Sequence, residues 1–333
     1  MPDFSSVHCF PGIESVLGAA SERFFGDGHR KVTHSVQHIN VDQSGEGHGR
    51  ISASASVAYP SNWSVKSSSE ELQPHLSTID TIALTACLVE CHLAHQRGLD
   101  HSQRGRAWLR SVQLKAGAAP QENLADIPIS AQVLASRPSA AAPDWHTTTV
   151  ACEIGPIKVR CEIDHEAGSA NDTSAVYEEL NDLLGGGGSR YYSDGYQLTQ
   201  RDIKDLRIRV NDNMITAVAS MSEPSSVESG IEASYRPSLS GIDGTIIAGQ
   251  LAQALLYQLD GLERGAAGNL WMRRVAFRLP TPRQPVTDPF LCRLSATKNR
   301  VVAKGDNRWR VMDLSLQMLD MRGEFSVAHT LSP

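Results

Sequence analysis

From Lys31 to Tyr59 apolar and polar residues alternate, rich in Val, Ile, Ser and Thr, with a polar stretch from Gln43 to Gly49 between the two runs. A period of two puts one face into a core, and the interruption predicts a two-stranded hairpin. The period then lengthens. Between Thr78 and His95 the residues Ile79, Ile82, Ala83, Ala86, Cys87, Val89 and Leu93 form a band broader than one helical face, as expected of a helix wrapped by sheet. Ser61 to Gln73 is a polar loop leading into that helix. Three extended segments follow it: Ala107 to Leu114, Ile127 to Arg137, and His146 to Ile163 with a bend at Gly155-Pro156.

The same order recurs. Pro74-His75-Leu76-Ser77-Thr78-Ile79-Asp80 reappears as Pro237-Ser238-Leu239-Ser240-Gly241-Ile242-Asp243, a spacing of 163 residues from Asp80 to Asp243. Without a gap, that spacing carries Trp108-Leu109-Arg110 onto Trp271-Met272-Arg273 and Ile127 to Leu134 onto Phe290 to Thr297. A hairpin from Asp205 to Met221 turning at Asn211-Asp212-Asn213, a helix over 242–259 and strands at 270–279, 290–302 and 309–330, bent near Met321-Arg322-Gly323, complete the second copy. Internal repetition decides the architecture: an N-terminal unit over 1–165, a Gly/Ser/Asn/Asp-rich linker over 166–174 and a C-terminal unit over 175–333. Gly185 to Gly188 reads as a hinge, since no Lys-Ser/Thr follows to make a phosphate loop. The expected class is α+β. A long helix held by a curved antiparallel sheet, twice in one chain, resembles the tandem or double hotdog, in which two units pair like a homodimer and hide their sheet edges.

Composition narrows the field. With 41% hydrophobic and 20% charged residues the 333-residue chain is an ordinary globular protein of about two domains. A net charge of −6 with no basic stripe argues against nucleic acid. No apolar run reaches the length of a spanning helix, so no membrane partner and a cytoplasmic location are expected. Cys9, Cys87, Cys91, Cys152, Cys161 and Cys292 form neither a disulfide framework nor a CxxC pair. Cys87, Cys91 and His95 share a helical face with the spacing of metal ligands, but their counterparts are Gln250, Ala254 and Gln258; the face is read as core, with no metal and no cofactor.

Val16-Leu17-Gly18 followed by Arg23-Phe24-Phe25-Gly26-Asp27-Gly28-His29-Arg30-Lys31-Val32 resembles the N-terminal signature of the avirulence protein D (AvrD) family. Membership implies an enzyme of secondary metabolism that makes acyl-glycoside elicitors, the syringolides, from a β-ketoacyl thioester and a ketosugar such as xylulose. A more distant resemblance is to A-factor synthase-like proteins, butyrolactone-forming hotdog duplications that join a β-ketoacyl thioester to a three-carbon phosphate. The implied partners are an acyl carrier protein or CoA thioester as donor and a small sugar or polyol as acceptor; a homodimer is compatible with the fold. The sequence departs from the dehydratase and A-factor helix pattern, because Gly249 and Ala86 stand where the working glutamate would. Pro237-Ser238-Leu239 leading to Asp243 is similar to the polyketide dehydratase motif Pro-x-Leu-Leu-Asp, yet the His-x-x-x-Gly-x-x-x-x-Pro partner is absent. Dehydratase, hydratase or thioesterase chemistry is the alternative enzyme reading, and a non-catalytic acyl-binding protein is the alternative from another class.

Within the leading reading Asp80 and Asp243 are the candidate general bases, on the condition that burial raises their pKa values. The helix mouths, with Ser77, Thr81, Ser240 and Gly244 beside the carboxylates, would hold the thioester oxygen. A structural role competes: Ser77-x-x-Asp80 and Ser240-x-x-Asp243 each fit a capping box. His75, opposed by Ser238 in the second copy, is a further catalytic candidate, and Arg110 and Arg273 are either candidates for binding phosphate or carboxylate or pack their stems against Trp108 and Trp271. Arg23 and Arg190, at the heads of the two Arg-aromatic-aromatic corners, are either ligand contacts or packing; Glu90, opposed by Gln253, reads as a polar group at the far end of its helix.

Overall fold

The computed structural model describes residues 7–43, 49–65, 73–140, 142–186, 189–223, 227–262, 270–304 and 307–331. In the N-terminal half, β1 (Val7–Gly12) leads through the single-turn α1 (Glu14–Leu17) to the hairpin of β2 (Thr33–Asp42) and β3 (Arg50–Ala58). The long helix α2 (Thr78–His95), the short α3 (His101–Arg106) and β4 (Trp108–Lys115), β5 (Ile127–Pro138), β6 (Trp145–Ile154) and β7 (Ile157–Glu166) complete it. The second half starts with β8 (Ala175–Glu179), α4 (Leu180–Leu184), β9 (Ser189–Arg190) and α5 (Tyr196–Leu198) before its hairpin, β10 (Gln200–Arg209) and β11 (Met214–Ser222). There follow β12 (Val227–Ser229), the long α6 (Gly241–Asp260), β13 (Trp271–Arg278), β14 (Phe290–Lys304), β15 (Asn307–Met318) and β16 (Met321–Leu331).

Fourteen strands form one sheet in the order β1-β10-β11-β14-β15-β16-β13-β4-β7-β6-β5-β3-β2-β8. The halves join where β13 runs antiparallel to β4, with Val112 opposite Phe277, Gln113 opposite Ala276 and Leu114 opposite Val275. This register is reciprocal under the 163-residue spacing, so a pseudo-twofold axis passes at Gln113 and Ala276. Each half of the sheet curls around its own helix. Ile79, Ile82, Leu88 and Leu93 of α2 and Ile242, Ile246, Leu251 and Leu255 of α6 are fully buried, each contributing about 1.5–3 kcal/mol. The architecture is a tandem hotdog, and none of the described helices is long and apolar enough to cross a membrane.

The two ends of the sheet are exchanged. β1, from the N-terminal half, pairs with β10 of the other half, while β8 pairs with β2. The helices after them cross as well, α1 packing on α6 and α4 on α2. The exchange is symmetric in detail. Gly12 lies opposite Lys204 as Glu179 lies opposite Gln37, and the bulges in β2 and β10 carry His38 and Asp205 at φ of 54° and 52°. Gly18 and Gly185, which end the crossing helices, sit at φ of 76° and 83°, a region that a residue with a Cβ enters only at a cost. Their neighbours Leu17 and Leu184 are buried.

Residues before Arg23 and after the linker gave no strand signal in sequence, because strands of six and five residues next to single-turn helices are too short to establish a period. The bend expected near Met321-Arg322-Gly323 falls instead at Leu319-Asp320, between β15 and β16, with Leu319 at a positive φ of 46°. Residues 167–174 form the coil between β7 and β8. Part of the polar turn after Gln43, much of the polar loop before Gln73 and the last two of the four glycines at 185–188 lie outside the described residues.

Candidate active site

At the head of α2 the capping box forms: the Asp80 amide donates to Ser77 Oγ at 3.1 Å, and the Ser77 amide donates to Asp80 Oδ2 at 2.9 Å. Thr81 donates its hydroxyl to the Ser77 carbonyl at 2.8 Å, which fixes its side chain along the helix. Asp80 does more than cap. Its Oδ2 accepts from the Tyr59 hydroxyl, and its Oδ1 lies 2.9 Å from His34 Nε2. Burial pushes this carboxyl up, but the hydrogen bonds and charge of its partners, His34 foremost, outweigh that and hold it below the usual carboxylate range. The condition set for Asp80 as a general base, a pKa raised by burial, is therefore not met. Tyr59 is the opposite case: burial first, then the Asp80 charge, pushes its phenol well above 10.0, and it stays a neutral donor.

A cavity of about 530 Å³ opens above this arrangement, between the two halves. Tyr59, Trp63, His75, Ser77 and Thr78 line it from the N-terminal half; Gln253, Tyr257, Trp271, Met272, Arg273 and Trp309 line it from the other. Arg23, Phe24 and Phe25 close one side, and Ala116 to Pro120 give a small-residue lip. The His75 ring stacks on Trp271, centroids 5.0 Å apart and planes at 28°. Burial lowers the His75 pKa, against the Gln73 carbonyl, Asp80 and Glu122, which pull it up, so the imidazole is neutral at pH 7. Thr78 and Ile79 hold first-turn amides that have no intrahelical acceptor, and Thr78 faces the cavity. Asp80 lies behind Tyr59 and Ser77 and is 1% exposed.

The second copy keeps the box and loses the space. Asp243 accepts from Arg201 at 2.5 and 3.0 Å, from Tyr191 at 2.6 Å and from Ser240 at 2.7 Å, with Arg236 at 3.6 Å. Burial opposes ionisation, but Arg201 and then Arg236 prevail and set its pKa to about 2. The volume in front of it is filled by chain. Glu232 accepts from the Leu109 amide at 2.9 Å and from Tyr192 at 3.0 Å, and Leu109 is the counterpart of the cavity-lining Met272. Ser229, Ile231 and Glu232 are buried, as is Trp108, while Trp271 is half-buried. Gly244 faces Met321, whose Sδ would stand 2.3 Å from an added Cβ, so its absent side chain serves packing.

The remaining candidates divide between rim and core. Arg273 is exposed at the cavity mouth, whereas Arg110 pairs with the buried Asp164 at 3.2 Å. Arg23 reaches across to Gln250 at 2.6 Å; Arg190 binds Asn181 at 3.3 Å. Glu90 pairs with Arg104 at 3.2 Å, while its counterpart Gln253 looks into the cavity. Where the dehydratase-like glutamate would stand, Ala86 is buried and Phe25 lies 3.0 Å from a Cβ added at Gly249. Cys91 is buried and His95 bonds to Tyr177 and the Thr173 carbonyl; among the described residues no three His, Cys, Asp or Glu side chains are placed to hold a metal.

Three residues of this site, His34, Tyr59 and Arg201, escaped the sequence reading, although a signal was there. His34 shares its strand face with the buried Val36, Tyr59 continues the face of Ala55 and Val57, and Arg201 shares that of Ile203. A titratable group on the core-facing side of an alternating strand needs a buried partner.

Comparison with known proteins bears on the family. Among solved structures the chain is similar to a tesB protein of Mycobacterium avium subspecies paratuberculosis, at 10% identity and a TM-score of 0.37 over 88% of this chain and 96% of that one. A hot dog fold protein of unknown function from Alicyclobacillus acidocaldarius gives 11% identity and 0.38 over 87% and 96%. A trans-AT PKS dehydratase domain from Brevibacillus brevis gives 8% and 0.35 over 88% and 96%. No curated protein matches. Residues 8–332 match the family of the Pseudomonas avirulence D protein (AvrD), and with nearly the whole chain covered, the protein belongs to that family.

Proposed function

We propose that the protein is an enzyme of secondary metabolism that transfers an acyl group, most specifically a β-ketoacyl group from a carrier-protein or CoA thioester, to a hydroxyl of a small sugar or polyol. The observation that carries this reading is the inter-half cavity, whose walls are largely apolar and whose polar groups gather at the head of α2. The acyl chain lies along Leu114, Ile157 and the aromatic wall, and the pantetheine arm passes the lip at Ala116 to Pro120. Arg273 at the mouth faces the anionic end of the donor.

In this reading His75, neutral and in the cavity, is the base. It takes the proton of the acceptor hydroxyl as that oxygen forms a bond to the thioester carbonyl carbon. The carbonyl oxygen gains negative charge and accepts from the Thr78 amide and the Ser77 hydroxyl, on the positive end of the helix. When the tetrahedral species collapses, the C–S bond breaks and the thiolate takes the proton from His75. Asp80 touches neither substrate: its charge supports the imidazolium, and by accepting from the Tyr59 hydroxyl it holds that ring in the cavity wall. A stable copy of the same box at Asp243, closed off by Glu232, leaves one working site per chain.

The test is incubation with a β-ketoacyl carrier protein or CoA thioester and xylulose, following free thiol and new ester by mass spectrometry. Thiol with ester supports transfer; thiol without ester indicates a thioesterase, and absence of both indicates binding alone. His75→Gln should lower kcat by about 10²-fold with little change in melting temperature, and full activity in that variant would remove His75 as base.

A further inference from the structure

The Asp80 carboxylate is held from behind by His34, and behind His34 is a second cavity. It measures about 440 Å³ and is lined mainly by polar residues of β2, of the exchanged segment and of the Arg190 to Gln197 corner. Thus Tyr59 and Ser77 face the acyl cavity, His34 faces the polar one, and Asp80 joins them through contacts to all three. The other ring nitrogen of His34, Nδ1, has no hydrogen-bond partner among the described residues. The second copy shows what changes. Arg201 occupies on β10 the position of His34 on β2, and two of its nitrogens clamp Asp243. A guanidinium stays charged at all working pH values and fixes its carboxylate, whereas an imidazole exists as two tautomers and two charge states.

We propose that His34 is a positioning residue of the acyl site: through Asp80 it sets the orientation of the Tyr59 hydroxyl and the charge behind His75, and it does so from the polar cavity. The proposal rests on the acyl-transfer reading above and adds to it the residue that makes the N-terminal copy adjustable where the C-terminal copy is locked. The charged and titratable groups around His34 are Asp80 of α2, which binds it, and, lining the polar cavity with it, Cys87 of α2, Glu179 of β8, and Arg190 and Asp194 of the corner. Two of these carboxylates and the arginine sit on the solvent side, so the polar cavity gives small cationic or neutral heterocycles access to the ring.

The experiment uses the full chain with 3-oxooctanoyl-CoA as donor and xylulose as acceptor, thiol release with new ester as readout, and the unreactive thioether octyl-CoA as binding probe. His34→Ala should lose about 10²-fold in kcat with KM within about twofold, and added imidazole should restore turnover saturably by entering the vacated place through the polar cavity. His34→Arg copies the second half; it should fold with an unchanged melting temperature, stay slow, and show no imidazole response. In ¹⁵N spectra of the wild type, octyl-CoA in the acyl cavity should shift the His34 imidazole signals, and Tyr59→Phe should abolish that shift while still binding the thioether. A His34→Arg variant with wild-type turnover, or a folded His34→Ala variant that imidazole does not rescue, overturns the proposal. Octyl-CoA that binds without moving the His34 signals overturns the positioning role alone; octyl-CoA that does not bind overturns the acyl reading and the positioning role together.

Discussion

Asp80 and Asp243 are the same residue at the same point of a repeated motif, and their surroundings make them different chemical objects. Asp80→Asn leaves Ser77 and Tyr59 with a weaker acceptor and should cost about 1–3 kcal/mol, with most of the thioester turnover lost. Asp243→Asn strands Arg201 in the core and should cost about 3–5 kcal/mol, while the cavity between the halves stays intact. Urea unfolding of both variants at pH 7 separates the two; equal costs would contradict the view that only one is clamped by arginine. The pH dependence follows from the sign. A carboxyl depressed from 3.8 to about 2 contributes on the order of 2 kcal/mol above pH 4 and loses it as the pH falls towards 2. The gap between wild type and Asp243→Asn should therefore narrow over that interval. Glu232 runs the other way: burial foremost pushes it up to about 8, so its protonated form is the native one at pH 7, and stability falls as the pH rises from the ordinary carboxyl range to 8. Glu232→Gln should match wild type at pH 5 and exceed it in melting temperature at pH 9.

At the level of elements, the two helices were legible from their apolar bands, and both capping boxes could be read from Ser-x-x-Asp because the geometry is local. What the boxes do was not legible, since His34, Tyr59, Arg201 and Tyr191 come from strands and corners 21 to 52 residues away. The sequence also withheld which copy has room. The path of 229–236, laid against Leu109, covers the second mouth, and no period or spacing encodes that path. Gly241, at the first position of α6, supplies an element-level test. Alanine there would ordinarily gain about 1 kcal/mol of helix propensity, but an added Cβ would stand 2.0 Å from the Phe277 ring. Gly241→Ala should therefore destabilise, by about 1–3 kcal/mol, and a rise in melting temperature would show that the Phe277 contact yields freely.

For the molecule as a whole, the duplication was legible because one motif and two strands hold a constant spacing, and the tandem hotdog follows from it. The exchange of outer strands was not, because a strand's neighbour in a sheet is a long-range fact. It makes a clear prediction. Removing residues 1–12 takes away β1, which lies on β10 of the opposite half; hydrogen exchange should then quicken in 200–209 and leave 33–42 unchanged. Faster exchange in 33–42 instead would mean that the arm serves its own half. Calorimetry of the intact chain should give a single transition, as each half melts only with the strand it lends.

The crossed arms also constrain how such a protein arises. A lone unit of this kind would carry an arm with nothing to lie on and a sheet with both rims bare, so its natural form is a pair that embraces reciprocally. Joining two of them head to tail by the eight residues from Ala167 to Ser174 preserves that embrace, and it leaves the two mouths free to differ.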